Sequence, residues 1–384
     1  MKTAILGAVL LVVGAVLVAL GVLPMASALA VGERVWPILL FVIAITVVTE
    51  LAAEAELFRV IAEKAARVGG GRTWLLWLLV VVLAVACTVF LSLDTTAVLL
   101  TPVVVILARH VGVPPLPFAL TTVWLANTGS LLLPVSNLTN LLAEHELDGI
   151  GPLGFARLMA VPAIVAVVVP CLIVFVVYRR ALLTRYVPDA ESPVTDRVLF
   201  VSSAIVVGAL VPALVSGLPV WLSASVAACA LAAVFAVRRR SVLRVGLVPW
   251  QVVLLASGLF LVVEAAHSIG LADLLAAVSG QGSGPLDLLR LAGSGLGASN
   301  IANNLPAYLA LEPVAGSPER IAALLVGVNA GPLIAPWASL ATLLWHQRMT
   351  ALGVEISWKT YALLGLVAAP LTVGLAVLAL SAAT

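Results

Sequence analysis

Apolar runs of about twenty residues, the length a helix needs to cross the hydrocarbon core of a bilayer, recur along the chain. They predict crossings at residues 4–23, 36–53, 155–178, 198–215, 218–237, 250–267 and 358–380. Two further stretches, 116–142 and 319–345, are long enough to cross but carry Asn, Gly, Ser and Pro in their middles, which predicts broken helices. Two others, 73–110 and 286–311, turn round at the polar tips 92–96 and 299–304 and read as re-entrant hairpins, leaving about nine crossings. Between Ala55 and Val68, Leu57, Val60, Ile61 and Lys64 recur at helical spacing among charges. That pattern suits a helix lying in the membrane interface.

Composition removes a soluble reading. Of the 384 residues, 63% are hydrophobic and 10% charged, and the mean hydropathy is +1.21, whereas a soluble domain carries roughly 25% charged residues. The expected class is an all-α integral membrane protein. With the N-terminus inside, 16 of the 20 basic residues fall on the cytoplasmic side and only Arg34, Arg157, Arg290 and Arg320 outside. Such an excess of inner Lys and Arg supports the layout and puts the C-terminus outside a cytoplasmic membrane. Residues 183–197, with Pro188 and Pro193, are the candidate cytoplasmic linker between a first half, 1–182, and a second, 198–384. The apolar stretch after Lys2 is longer than a signal-peptide core and is followed by further spans, so it reads as a retained helix.

An internal repeat gives this layout its meaning. Residues 127–142 lie over 329–344 without a gap, and seven of the sixteen positions are identical, Asn, Gly and Pro among them. A polar-tipped hairpin precedes each copy, and Thr49-Glu50 upstream of the first has a counterpart in Val263-Glu264. An odd number of crossings separates the copies, so they enter the membrane from opposite sides. This is the inverted-repeat plan of secondary transporters, and four polar breaks in two related pairs imply one shared midplane site.

The segment 93–102 around Asp94, the segment 299–306, Gly331-Pro332 with 339–345, and Ile356-Ser357-Trp358 resemble the ion transporter superfamily and, within it, the arsenite efflux permease family. The likeness covers most of the chain from about Trp36 onward. It implies that hairpin tips and helix breaks jointly hold the solute and move as a unit against a scaffold. It also implies that As(III) or Sb(III) is extruded against proton entry. Related branches carry sodium, dicarboxylates or citrate, so a sodium-coupled organic-anion carrier is the alternative. The chain departs from the arsenite pattern at Asn329, where an acidic residue is usual, and at Leu333, where a basic one is usual. Superfamily analogy suggests a homodimer, and a separate cytoplasmic ATPase could dock on the inner face.

The candidate solute site is Asp94, Thr95 and Thr96 at the first tip; Asn127, Thr128, Gly129, Ser130 and Asn137 in the first break; Ser299, Asn300, Asn303 and Asn304 at the second tip; and Asn329, Gly331 and Ser339 in the second break. A carboxylate at bilayer depth costs roughly 2.5 to 3.5 kcal/mol on insertion scales, which makes Asp94 the candidate proton carrier. The other reading is an Asp that caps the hairpin helix behind it, with Ser299 doing the same in the second hairpin. The amides and hydroxyls either face a hydroxylated solute or satisfy the loose backbone of the breaks. One carboxylate with no Lys or Arg in the four motifs suits a neutral polyhydroxylated solute, such as arsenous acid, or a small cation.

Other chemistry is not called for. Cys87, Cys171 and Cys229 lie in apolar stretches without CxxC spacing, and His110, His145, His267 and His346 are dispersed near span ends. Neither a metal site nor a cofactor is expected, and no nucleic-acid partner. HExxH, GxSxG and Walker A sequences do not occur, which argues against an enzyme and against direct use of ATP.

Overall fold

Polar residues interrupt the apolar pattern of this chain at a few places only, and those are the places where its helices turn or break. The structure is a computed structural model describing residues 2–147, 150–187 and 193–383, with side chains from Ala4 onward. All secondary structure among these residues is helical apart from one isolated bridge, Arg72 to Arg185. The first half contains α1 (Lys2–Ala19), α2 (Met25–Glu54), α3 (Leu57–Val68), α4 (Thr73–Leu91), α5 (Thr101–His110), α6 (Leu116–Thr128), α7 (Leu138–Glu146) and α8 (Gly151–Leu182). The second contains α9 (Arg197–Val215), α10 (Val220–Arg238), α11 (Trp250–Ser268), α12 (Leu271–Ser279), α13 (Pro285–Ala302), α14 (Asn304–Leu311), α15 (Pro318–Ala330), α16 (Leu340–Ala351) and α17 (Trp358–Ala383). Seven of them, α2, α4, α8, α9, α10, α11 and α17, are long and apolar enough to cross a membrane. Residues 188–192 of the candidate linker lie outside the described residues.

The repeat is visible as structure. Crossing, short helix, hairpin, broken helix and crossing run α2 to α8 and again α11 to α17. The short helix α12 has no charged face to announce it; it is the second copy's counterpart of α3. Each short helix touches both arms of the hairpin that follows it, α3 against α4 and α5, α12 against α13 and α14. Both arms therefore start and finish on one face, as a re-entrant hairpin requires. The two hairpins come from opposite faces, because α2 meets α3 at its Glu54 end while Arg34, near its start, binds Glu312 beyond α14.

Both hairpins turn on a residue in unusual backbone geometry. Ser92 has φ 109° and ψ 159°, and Asn303 has φ 130° and ψ 159°, a region that glycine alone visits without strain. Such residues cost about 1 to 3 kcal/mol each and persist only where the surroundings hold them. In the first hairpin the chain re-enters through a π-helical turn, Thr95–Leu100, a rare form concentrated at functional sites.

The halves embrace each other. Helix α1 packs on α11, and α10 packs on α2, so the helix before each copy's first crossing lies against the other copy's. A Cβ on Gly7 would lie 2.5 Å from the backbone N of Leu255, and one on Gly258 2.6 Å from that of Leu11. Small residues of this kind let membrane helices approach closely enough for dispersion to hold them. Helices α6 and α15 are buried over almost their whole length, whereas only 22% of the most apolar stretch of α9 and of α10 is buried. The broken helices therefore form the centre and the flanking crossings the lipid-facing shell.

Candidate functional site

Four interruptions in sequence meet at one cavity in space. It measures about 90 Å³ and is lined by Ser92 to Asp94 of the first tip, Asn303 to Leu305 of the second, Val135 to Leu138 of the first break and Ser339 to Ala341 of the second. Residues of α2, including Phe41 and Thr46, and of α11, including Val252 and Ala256, close the remaining side. Apart from Thr46 these crossing helices are apolar there, and nothing in the sequence marks them as facing the site. Among the described residues, Asp94 is the one ionisable residue in the lining.

Asp94 is half-buried, and its carboxylate makes no hydrogen bond or ion pair among the described residues. It does not cap the turn behind it; the N–H of Thr95 is directed instead to Ser92 Oγ at 3.4 Å. Asn303, not Ser299, caps the second arm, accepting from the N–H of Leu305 at 3.3 Å. Ser299 is fully buried in the last turn of α13 and donates to Leu296 O.

Of the fifteen candidate residues, Asp94, Asn137, Asn303, Asn304 and Ser339 reach the cavity. The others serve the frame around it. Thr95 donates to Leu91 O at 3.0 Å, and Thr96 meets Thr88 at 2.8 Å inside the hairpin. Asn300 donates to Leu296 O and Gly331 O and accepts from the N–H groups of Ile334 and Ala335, tying the second hairpin to the second break. Gly331 belongs to the same joint, since a Cβ there would lie 2.9 Å from Leu296 Cα. Asn329 accepts from Asn137 at 3.0 Å and Thr139 at 2.8 Å and donates to Asn140 at 2.8 Å, which staples the two broken helices together. Asn127 donates to Val123 O, and Ser130 donates to Asn127 O. Thr128 and Gly129 are buried beside them, away from the cavity.

Among the described residues, a few polar groups at the cavity are unpartnered. They are the Asp94 carboxylate, the Nδ2 amide of Asn304, whose Oδ1 already accepts from Leu305 N–H, and the buried Ser339 hydroxyl. They supply an acceptor, a donor and a group that can act as either.

Larger cavities lie on both sides. One of about 380 Å³ shares Thr46, Ser92, Asp94, Val252 and Leu340 with the central cavity and extends to Glu50 and residues 246–251. The other, about 310 Å³, is lined by Arg34, Glu146, Glu264, His267 and Glu312 and shares no residue with the centre. On that side Arg34 of α2 binds Glu312 at 2.5 Å and Glu146 at 3.1 Å, with the Tyr308 hydroxyl donating to Glu312 at 2.7 Å. Burial pushes the Glu312 carboxyl up from its usual range, against the hydrogen bonds from Arg34 and Tyr308 that draw it down. The cluster clasps a crossing helix to the ends of the second hairpin and the first broken helix. As it stands, the central cavity communicates with the Glu50 side.

Comparison with known proteins accords with this architecture. Residues 1–344 match the citrate transporter family CitMHS. The chain is 31% identical to an arsenical pump membrane protein of Escherichia coli K12, over 87% of this chain and 83% of that protein. It is 25% identical to a putative arsenical pump membrane protein of Bacillus subtilis strain 168, over 74% of each. The fold is similar to the crystal structure of the Alcanivorax borkumensis YdaH transporter, with TM-score 0.57, 17% identity and coverage of 99% of this chain and 97% of that one. The chain belongs to the arsenical pump membrane protein family, within the superfamily that includes the CitMHS transporters.

Proposed function

We propose that this protein is a secondary transporter that extrudes arsenite and antimonite across the cytoplasmic membrane in exchange for protons. The observation that carries the reading is the composition of the central cavity: one unpartnered carboxylate, an amide donor, a hydroxyl and no basic residue. Arsenous acid is a neutral trihydroxide at physiological pH, able to donate to Asp94 and Ser339 and to accept from Asn304. Asp94 is then both solute ligand and proton carrier, so the two cargoes compete for one group. Competition of this kind is what makes an exchanger, because the site returns loaded with one cargo or the other.

We place the N-terminus and the Glu50 cavity on the cytoplasmic side and the C-terminus outside, with nine crossings, on the strength of the basic residues around Arg59 to Arg72, Arg179 to Arg185 and Arg238 to Arg244. In this orientation the described conformation is inward-open, and the Arg34 cluster closes the outer mouth. A homodimer, and an ATPase docked on the inner face, are compatible with the same reading.

The family model's description favours a second reading, a sodium-coupled carrier of citrate or a dicarboxylate. Against it stand the small cavity and the lack of a Lys or Arg to meet carboxylates. Uptake of arsenite into proteoliposomes under a pH gradient separates the two. Proton-driven uptake indifferent to sodium and to added dicarboxylate is the expected result. No arsenite uptake, together with sodium-dependent dicarboxylate uptake, would move the protein to the organic-anion branch.

A further inference from the structure

We infer that Glu50 is a second proton carrier, which takes the proton that Asp94 gives up in the inward-open state and hands it to the cytoplasm. The inference rests on the proton-exchange reading and adds the route by which the proton leaves.

Glu50 and Asp94 line one continuous cavity of about 380 Å³. Neither carboxylate makes a hydrogen bond or ion pair among the described residues, although other carboxylates at these mouths are engaged. Glu54 pairs with Arg239 at 3.3 Å, Glu56 with Arg59 at 3.0 Å, and Glu146 and Glu312 share Arg34. The charged groups that face Glu50 are Arg348 of α16, Glu54 of its own helix and Arg244 of the loop before α11, with Asp94 across the cavity. The repeat places a carboxylate at the equivalent turn of the other crossing: Glu264 lines the outer cavity and makes no ion pair among the described residues. Each mouth thus holds one unpaired Glu on the crossing helix that bounds the central site. A carboxylate left half-buried without a partner at a membrane boundary is costly unless it is used.

The step is a simple transfer. In the inward-open state the Asp94 carboxyl loses its proton, through water in the shared cavity, to the Glu50 carboxylate. Asp94 is left as the anion that accepts a solute hydroxyl, and Glu50 then releases the proton to cytoplasmic water. No bond other than O–H is made or broken.

Glu50→Gln keeps the size and polarity of the side chain and removes its ability to carry a proton. In proteoliposomes, pH-driven arsenite transport by this variant should fall by about tenfold. Arsenite counterflow at equal pH, which needs no net proton movement, should stay within about twofold of wild type. Glu50→Asp should recover most of the driven rate, and Glu54→Gln should match wild type. An unchanged driven rate in Glu50→Gln would overturn the proposal. So would a matching loss of counterflow, which would mark Glu50 as part of the solute site or the frame. If wild type itself ignored the pH gradient, the proton-exchange reading beneath would fall, and the role of Glu50 with it.

Discussion

Asn329 and Asn127 occupy the same place in the two copies of the repeat but not the same surroundings. Asn329 makes three hydrogen bonds with the opposite broken helix, accepting two and donating one. Asn127 has one bond to its own helix, at Val123 O, and a long 3.5 Å approach to Thr342, with its Oδ1 buried and unpartnered. The sequence difference behind this lies across from each Asn. The first break offers Asn137, Thr139 and Asn140, and the second offers Ser339, Ala341 and Thr342 at the matching positions. One joint is stapled and the other is loose, and the loose one leaves the Ser339 hydroxyl free at the cavity. The contrast divides the buried polar residues into those that hold the frame and those with groups left for a ligand.

Five substitutions test that division. The largest effect should come from Asp94→Asn, which keeps an amide in the cavity but cannot carry a proton. Arsenite transport under a pH gradient should fall by about a hundredfold or more, measured in proteoliposomes. Next is the pair Asn329→Ala and Asn127→Ala. Removing three interhelical bonds at roughly 0.6 kcal/mol each should cost about 2 kcal/mol in the first, read from the denaturation midpoint, against under about 0.6 kcal/mol in the second. Equal losses would dissolve the contrast. Asn304→Ala should weaken arsenite binding by about tenfold, close to 1.4 kcal/mol, and cost at most about 0.6 kcal/mol in stability, because the Leu305 N–H keeps its bond to Asn303 Oδ1. The smallest effect should be that of Ser339→Ala, about threefold in affinity and none in stability, because its hydroxyl has no protein partner to lose.

The outline of this architecture was legible because a polar residue inside an apolar run has few reasons to be there. The hairpins, the breaks and the repeat all announced themselves through Asp94, the Asn-rich tip and the paired Asn-Gly-Pro pattern. Helix α12 did not, because Leu271–Ser279 carries a single charge, Asp273, where α3 carries several. The exchange of α1 and α10 between the halves was equally hidden, since helices apolar all round give no sign of which neighbour they meet. Within the site, residue type was a guide to neighbourhood but not to role. Asn300, Asn304 and Asn329 look alike in sequence. Which amide is saturated by the chain and which is free depends on backbone groups such as Gly331 O and Ala335 N–H, which are placed by folding and not by composition.

If solute and proton compete for Asp94, arsenite binding displaces protons, and counting them tests the competition directly. Calorimetric titration in buffers of different ionisation enthalpy gives that number. Wild type, titrated at a pH where Asp94 is largely protonated, should release about one proton per arsenite bound, and Asp94→Asn should release none, as linkage between two ligands of one group requires. Arsenite binding to wild type without proton release, or the same release from Asp94→Asn, would contradict the account.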